Sequence, residues 1–292
     1  MLVGLNAGFG LPLGADAAFI HSIGCRFVRQ EFRFEIDDAT IALLMADIAG
    51  QPLGLLALLG GGTNSKRGGS RIEPHEFAAL GTRVATAAAS AGLTDLLIEV
   101  GNEPDIGHVD YGTRPADFAR AVVQTLTALR RAGFDGPVIS GGISNLSPRR
   151  LTYLEQMTVA GLPSDVVVGF HRYPHGLGPH VPHPGFRSRD AEWSRLKGIA
   201  AGRQLACTEF GHHTARRSYR FMRLIPLRRR LSEATAAEHI VYDLTYFRNR
   251  GCLLAAVYQL NDGPTDTPID RYGIRRADGT PKPAAAAIST FV

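Results

Sequence analysis

The sequence alternates without a break between short apolar runs and longer amphipathic stretches. The apolar runs are rich in leucine or β-branched residues, as expected of strands that are buried on both faces. Eight of them are predicted as strands, at 2–7, 26–32, 53–59, 96–103, 138–142, 166–171, 204–209 and 253–260. Strands that alternate with helices run parallel and are connected by helical crossovers, so the pattern predicts an α/β fold with a parallel sheet.

The stretches between the strands predict helices, among them 37–49, 74–91, 115–132, 148–160, 190–201 and 233–249. Their starts carry proline, serine or aspartate and several end at glycine, residues that commonly flank helices. Eight strand and helix units within 292 residues fit a single closed (β/α)8 TIM barrel, whose usual size is ~250 residues. An open doubly wound sheet is the alternative, but "NAGFGLPLG" after the first strand lacks a G-x-G-x-x-G in register with a strand end.

No linker, repeat or low-complexity tract divides the chain, so we expect residues 1–292 to form one (β/α)8 domain. Hydrophobic residues make up 45% and charged residues 20%, as in a globular protein with a sizeable core. No apolar run approaches the ~20 residues of a membrane-spanning helix, and the N-terminus has no signal-peptide pattern. We therefore expect a cytoplasmic protein, whereas a trimmed signal peptide would make it secreted or periplasmic. Three cysteines lie in or near apolar runs and are expected to be buried thiols: Cys25, Cys207 and Cys252.

Two glutamates stand where predicted strands give way to loops. Glu103, in "EVGNEPD", ends the fourth strand, and Glu209, in "ACTEFGHH", ends the seventh. Active sites of these barrels lie at the C-terminal ends of the strands, so both carboxylates should face the same pocket. Such a pair is the machinery of glycoside hydrolysis, in which one carboxyl group is protonated and the other ionised. At a separation of ~5 to 5.5 Å the ionised group attacks the sugar directly and configuration is retained.

With these motifs in this order, the chain resembles the clan A retaining glycoside hydrolases, the cellulase-like (β/α)8 superfamily, over almost its whole length. The resemblance implies that Glu103 is the acid/base, that Glu209 is the nucleophile, and that Asn102 binds the sugar 2-hydroxyl. The closing "YGIRRADGTPKPAAAA" is similar to the stretch that leads into the last helix of many of these enzymes.

The resemblance also covers residues that surround the nucleophile. Arg29, in "FVRQEF", matches a strand-two arginine, and "GFHRYP" matches a strand-six His-x-Tyr with His171 and Tyr173. A cation and a phenol donor beside Glu209 would lower its pKa, as a nucleophile needs. Two of these roles have structural alternatives, because His171 and Tyr173 are also plausible packing residues. Arg29 could instead form an ion pair inside the barrel, with Glu31 or Glu99.

Two further residues are candidates for contact with the sugar. Tyr258, in "AAVYQLND", stands where many clan members have a strand-eight tryptophan, and its ring offers an apolar face to sugar C–H groups. Asn6, at the end of the first strand, either lines the pocket or is a turn asparagine. The sole tryptophan, Trp193, lies in a predicted helix and is expected to be part of the core.

An arginine-rich segment follows the seventh strand, with seven arginines between 216 and 230. It is either a solvated loop, a lid on an acidic polysaccharide, or a segment that touches a membrane surface. Loop residues after the sixth strand could add to a surface for anionic sugars: Arg172, His175, His180, His183 and Arg187. We therefore expect a β-linked oligo- or polysaccharide as the substrate, with an acidic polymer as one option. No nucleic-acid-binding motif is present.

Other functions compete with hydrolysis. A metal-dependent barrel hydrolase usually has a His-x-His at the end of its first strand, where this chain has "GLNAG", so neither a metal nor another cofactor is expected. A barrel that only binds glycans needs no acid and nucleophile pair. A transglycosylase uses the same scaffold and differs in whether water or a sugar accepts the intermediate.

Overall fold

The computed structural model of the protein describes residues 1–9, 12–60, 72–106, 114–174, 177–215 and 231–292. Its eight parallel strands are β1 (Leu2–Phe9), β2 (Phe27–Phe32), β3 (Gly54–Leu59), β4 (Leu96–Val100), β5 (Val138–Ser140), β6 (Val168–Arg172), β7 (Leu205–Phe210) and β8 (Leu254–Val257). Strand β1 pairs with both β2 and β8, and the sheet runs β5-β4-β3-β2-β1-β8-β7-β6. Backbone bonds such as Ser140 N to Val167 O, 2.9 Å, join β5 to the start of β6 and close the ring. The predicted (β/α)8 barrel is confirmed, and the open sheet is excluded.

The helices surround the barrel: α1 (Ala15–Ser22), α2 (Asp38–Ala49), α3 (Pro74–Ser90), α4 (Pro115–Arg131), α5 (Pro148–Val159), α6 (Arg189–Ala200), α7 (Glu233–Asn249) and α8 (Pro283–Phe291). All six helices bounded from the sequence lie within one residue of these limits. Local signals explain this, since Asp37 accepts a hydrogen bond from Thr40 N and Ser232 accepts one from Thr235 N. Proline opens α3, α4, α5 and α8, where its missing N–H is no loss.

Three strands end earlier than predicted, and the fifth of the chain is one of them, ending at Ser140 rather than at position 142. The fourth ends at Val100 rather than at position 103, and the eighth ends at Val257 rather than at 260. Gly101 and Glu103 have φ angles of 73° and 45°, in the left-handed region, which no strand can continue through. Glu103 therefore lies on a turn beyond the strand, and its N–H donates to Gly142 O at 3.0 Å.

Apolar side chains fill the barrel toward the N-terminal ends of its strands. They are Phe27, Leu56, Leu97, Ile139, Val167, Ala206, Leu254 and Ala256. Gly4 makes room for the largest of them, since a Cβ at this position would lie 2.6 Å from the Phe27 ring. Side chains alternate in direction along a strand, so residues two further along each strand face the same interior nearer the C-terminal rim. There the interior is polar, with Arg29 on β2, Glu99 on β4 and His171 on β6 all buried.

A second, larger apolar layer lies between the sheet and the helices. Trp193 is 6% exposed in this layer and packs edge-on against Phe170, as predicted for a core residue. The three cysteines are buried free thiols, also as predicted. None of the described helices combines the length and apolar character that a bilayer crossing requires.

Candidate active site

Arg29 is a buried cation in the polar upper part of the barrel, with 4% of its side chain exposed. Its Nε donates to Glu99 Oε2 and its Nη1 to Glu209 Oε1, both at 2.6 Å. Nη1 also donates to Asn6 Oδ1 at 2.7 Å, and Nη2 donates to Asn102 Oδ1 at 3.0 Å. One guanidinium therefore holds three of the predicted site residues. It pairs with Glu99, as the ion-pair alternative predicts, and with Glu209 as well, while its role in a site stays a prediction.

Glu209 lies near the end of β7, with both carboxylate oxygens bonded. Oε1 accepts from Arg29, and Oε2 accepts from the Tyr173 hydroxyl at 2.5 Å. Burial alone would raise the pKa of Glu209. The positive charges of His171 and Arg29, together with the hydrogen bonds from Tyr173 and Arg29, outweigh burial and hold the pKa below its ordinary value. The site therefore favours the ionised form of this carboxylate.

His171 lies between the two glutamates. Its Nδ1 is 3.0 Å from Glu103 Oε1 and 3.7 Å from Glu209 Oε2, and its side chain is completely buried. Burial lowers the pKa of the imidazole, but the charge of Glu209 and the bond to Glu103 raise it above its ordinary value. The ring fits because residue 142 is glycine, since a Cβ on Gly142 would lie 2.4 Å from the ring nitrogen Nε2.

The two glutamates converge on one point above the strands. One oxygen of Glu103, one oxygen of Glu209 and a nitrogen of His171 all lie within 4.8 Å of one another. Glu103 is the more accessible of the pair, with 22% of its side chain exposed against 11% for Glu209. Solvent therefore reaches this pair more readily on the Glu103 side.

The turn that carries Glu103 is anchored from below. Asp105 accepts hydrogen bonds from Ser144 N at 2.8 Å and Ser144 Oγ at 2.6 Å, and it pairs with Arg150 Nε at 3.0 Å. The left-handed backbone of Glu103 costs about 1 to 2 kcal/mol for a residue with a Cβ. Strain of this kind persists where the surroundings enforce it, and functional sites are a common place for it.

An aromatic group extends the site toward β8. The rings of Tyr173 and Tyr258 lie 6.0 Å apart, and both pack edge-on against Tyr272, at 5.3 and 5.7 Å. Tyr258 is half-buried, so the structure places this predicted sugar contact beside the tyrosine that binds Glu209. Tyr272 is buried and was not singled out from the sequence. The sequence gives little indication of this position, because Tyr272 is only the first residue of the C-terminal "YGIRR" stretch.

Asn6 and Asn102 are both turned toward Arg29. Besides accepting from Arg29, Asn6 Nδ2 lies 3.4 Å from Thr208 O and 3.5 Å from Val257 O, so it is part of the barrel interior and not a simple turn residue. Asn102 is half-buried on the turn beside Glu103. Its Oδ1 is used by Arg29, which leaves the amide N–H₂ to face a ligand.

Glu103, His171 and Glu209 also form a donor set whose spacing suits a metal ion. Two carboxylates and one histidine are found in metal sites. Here both oxygens of Glu209 already accept hydrogen bonds, and the Arg29 cation lies 2.6 Å from one of them. A fixed positive charge at that distance opposes a divalent cation, so this chemistry fits a carboxylate nucleophile better than a metal ligand.

Arg172 points away from the site, although it stands between His171 and Tyr173. It is 1% exposed, its Nε lies 3.4 Å from Glu192 Oε1, and Glu192 also binds His183 Nδ1 at 3.0 Å. The prediction that Arg172 and His183 add to a surface for anionic sugars is therefore wrong, because buried carboxylates neutralise them. His180 and Arg187 are exposed. His175 and the arginine-rich segment 216–230 lie outside the described residues.

Neighbouring groups continue this buried network between β6, β7 and α7. Asp243 is completely buried, and it binds Arg189 Nη2 at 2.6 Å and His212 Nε2 at 2.7 Å. Burial raises the pKa of Asp243, but the bond to His212 and the positive neighbours lower it below its ordinary value. The network ties two helices to the strands that carry His171, Tyr173 and Glu209.

Neither a protein-family model nor a curated protein matches the chain. Among solved structures it is similar to a family 39 glycoside hydrolase from Bacteroides cellulosilyticus WH2, with a TM-score of 0.72 and 14% identity over 99% of this chain and 63% of that one. It is also similar to an exo-β-1,4-mannosidase from Opitutaceae bacterium strain TAV5, with a TM-score of 0.68 and 16% identity over 100% of this chain and 59% of that one.

A third similar structure is a family 17 β-1,3-glucanosyltransferase from Rhizomucor miehei, with a TM-score of 0.62 and 15% identity over 97% of this chain and 96% of that one. The chain spans less than two thirds of the length of the first two proteins. At these identities the likeness is one of fold. The chain shares the (β/α)8 barrel fold with these three proteins, as the alternation of strands and helices in its sequence predicts.

Proposed function

We propose that the protein is a retaining glycoside hydrolase that cleaves a β-linked oligo- or polysaccharide. The observation that carries the proposal is the approach of Glu103 and Glu209, whose oxygens lie within 4.8 Å of each other. Retaining enzymes have carboxyl groups ~5 to 5.5 Å apart, whereas inverting enzymes leave ~6.5 to 9.5 Å for a water molecule. The glycoside-active neighbours of the same fold support the class of reaction.

In the first step Glu103 gives its proton to the glycosidic oxygen while a Glu209 oxygen attacks the anomeric carbon. The bond from that carbon to the leaving oxygen breaks, and a glycosyl ester of Glu209 forms. Arg29 and Tyr173 keep Glu209 ionised until it attacks. Asn102 offers its amide to the sugar 2-hydroxyl, in a bond that strengthens as positive charge develops on the ring.

In the second step Glu103, now a carboxylate, takes a proton from water, and the water oxygen attacks the anomeric carbon. The ester bond breaks and Glu209 regains its charge, which Arg29 and Tyr173 stabilise. His171 bonds Glu103 and is close to Glu209. Its raised pKa favours a positive charge, which balances a pair that gains and loses negative charge in turn. No metal or cofactor takes part in this scheme.

A sugar acceptor in place of water would make the protein a transglycosylase, and the fold neighbour that is a glucanosyltransferase keeps this variant open. A barrel that only binds glycans is less consistent with the two convergent, differently bonded carboxylates. The proposal of a single catalytic domain and the expectation of a cytoplasmic protein stay predictions. So does an acidic substrate held by the 216–230 segment.

The test compares the wild type with Glu209→Gln and Glu103→Gln on a panel of aryl β-glycosides and β-linked polysaccharides. We expect both variants to fold and to lose roughly a thousandfold or more of kcat. Azide should restore turnover to Glu209→Ala. It attacks the anomeric carbon from the position of the removed carboxylate, so a β-glycoside should give an α-glycosyl azide. Retention is read from the anomer released first, by NMR. Full activity of either glutamine variant would refute the assignment.

A further inference from the structure

Glu31 is a third carboxylate at the rim, with no part in the proposed acid and nucleophile pair. It lies on β2 two residues beyond Arg29, and therefore on the same inner face but nearer the rim. Along this face Phe27 belongs to the apolar layer and Arg29 to the polar centre. Glu31 is 8% exposed, and its strand partners are Leu58 on β3 and Phe9 on β1.

The charge of Glu31 is only partly balanced. Its Oε1 pairs with Arg33 Nε at 3.1 Å, and the Arg33 side chain is 43% exposed, so water weakens this pair. Burial raises the pKa of Glu31, the two arginines lower it, and the Glu209 charge raises it, with a net rise. Arg29, two residues before Glu31 on β2, also bonds Glu209, so both carboxylates lie around the same polar interior of the barrel. A carboxylate on a sugar bound there would be repelled by both Glu31 and Glu209.

Arg29 does not offer a binding site for a sugar carboxylate in compensation. Four of its five N–H donors already bond described residues: Glu99, Glu209, Asn6 and Asn102. An arginine binds a carboxylate strongly through two parallel N–H groups, and this one has a single N–H left. His171, a second basic residue beside Glu209, is bonded to Glu103.

We propose that Glu31 determines the specificity of the subsite next to Glu209: it accepts a hydrogen bond from a hydroxyl of a neutral sugar and excludes a sugar that carries a carboxylate. The inference rests on the proposed glycosidase function and narrows its substrate class to a neutral unit at the cleaved position. Acidic units in other positions of a polymer stay compatible with it.

The test measures kcat/KM of the wild type, Glu31→Gln and Glu31→Asp on 4-nitrophenyl β-glycosides of neutral sugars and on 4-nitrophenyl β-glucuronide. The ratio between the best neutral substrate and the glucuronide should favour the neutral one in the wild type. Glu31→Gln removes the charge at constant size, so the ratio should fall roughly tenfold or more. Glu31→Asp keeps the charge but moves it further from the sugar, because the side chain is one methylene shorter. We therefore expect kcat/KM to fall while the ratio stays within about threefold of the wild type.

An unchanged ratio in Glu31→Gln, or a wild type that prefers the glucuronide, would overturn the specificity role while leaving the glycosidase proposal intact. A wild type that cleaves neither these glycosides nor any of the β-linked polysaccharides of the first test would refute the glycosidase proposal itself. Circular dichroism checks that each variant folds. If Glu31→Gln does not fold, Glu31→Ser takes its place as the variant that removes the charge.

Discussion

Nη1 of Arg29 and Oε1 of Glu209 lie 2.6 Å apart inside the barrel, where the two side chains are 4% and 11% exposed. The residues are separated by 180 positions in the chain and stand on strands β2 and β7. Because water screens so little at this depth, the ionisation of Glu209 depends on Arg29 more than on the solvent. Most of our predictions about catalysis follow from this pair.

Replacing Arg29 by glutamine should move the acid limb of the kcat/KM profile to higher pH. Activity requires ionised Glu209 and is lost as the pH falls through its pKa, which is held below its ordinary value. Without the Arg29 charge that pKa rises, so the loss begins at a higher pH. We expect a roughly tenfold or greater loss of activity at neutral pH as well.

Arg29→Lys is the matched control for charge. It restores a cation but not the four bonds, so the acid limb should shift less while activity stays reduced. An acid limb that is identical in the wild type and in Arg29→Gln would contradict our account of Glu209.

Tyr173→Phe should lower kcat by about ten- to a hundredfold, the expected effect of removing a hydrogen bond to a buried charged group. The phenyl ring preserves the packing against Tyr258, so KM for a small glycoside should change little. The acid limb should again move to higher pH. Tyr246→Phe is the control, because its hydroxyl bonds Arg189 O outside the barrel, and this variant should keep wild-type kcat.

Gly142→Ala should displace the imidazole of His171 and reduce both thermal stability and activity, because the new Cβ would lie 2.4 Å from the ring. Gly198 on the exposed face of α6 provides the opposite case, since a Cβ there meets nothing within 4 Å. Gly198→Ala should stabilise the protein by about 0.5 to 1 kcal/mol. Melting temperatures of both variants test the pair, and equal melting temperatures would contradict the tight fit around His171.

Asp243→Asn should destabilise the protein by about 3 to 5 kcal/mol, because it leaves Arg189 buried without its counter-charge and removes one of the two carboxylates beside Arg172. The lowered pKa of Asp243 means that its stabilisation is present above the pKa of unfolded aspartate and is lost as the pH falls through the folded value. The variant should therefore lose less stability on acidification.

Urea unfolding at neutral and acidic pH measures both effects of Asp243→Asn. Asp190→Asn removes an aspartate that is 72% exposed and paired with Arg250, and it should change stability by less than about 1 kcal/mol. Similar effects of the two substitutions would show that the buried network does not stabilise the fold.

The sequence predicts those features that short stretches of chain determine. Helices agree within one residue because their first turns carry their own caps, such as Asp37 and Ser232. The ends of β4 and β8 depend on how the chain turns over the rim, and apolar composition does not encode that turn. The place of Glu103 beyond β4 follows from the backbone at Gly101, which composition alone leaves undetermined.

The candidate site residues also differ in how well the sequence predicts them. Motif order identifies Glu103, Glu209, Asn102, Arg29, His171 and Tyr173 as one group, and the structure brings them together. Glu31 enters the sequence analysis only as an ion-pair alternative for Arg29, yet it lies on the same inner strand face as Arg29 and nearer the rim. Its position becomes informative once strand alternation and the bonds of Arg29 are known. For Arg172 the error is the reverse: the sequence predicts a surface residue, and the structure buries its side chain. Adjacent residues of a strand point in opposite directions, so Arg172 does not share the direction of His171.

The eight apolar side chains at the N-terminal end of the barrel make its interior a closed cup. Under the proposed function a glycan could not pass through the barrel, so substrate would enter and product would leave over the same rim. A polysaccharide could reach Glu209 in two ways: by binding across the rim, or by inserting one chain end into the barrel. For the proposed glycosidase, the shape of that opening determines whether the enzyme cleaves within a polysaccharide chain or at its end.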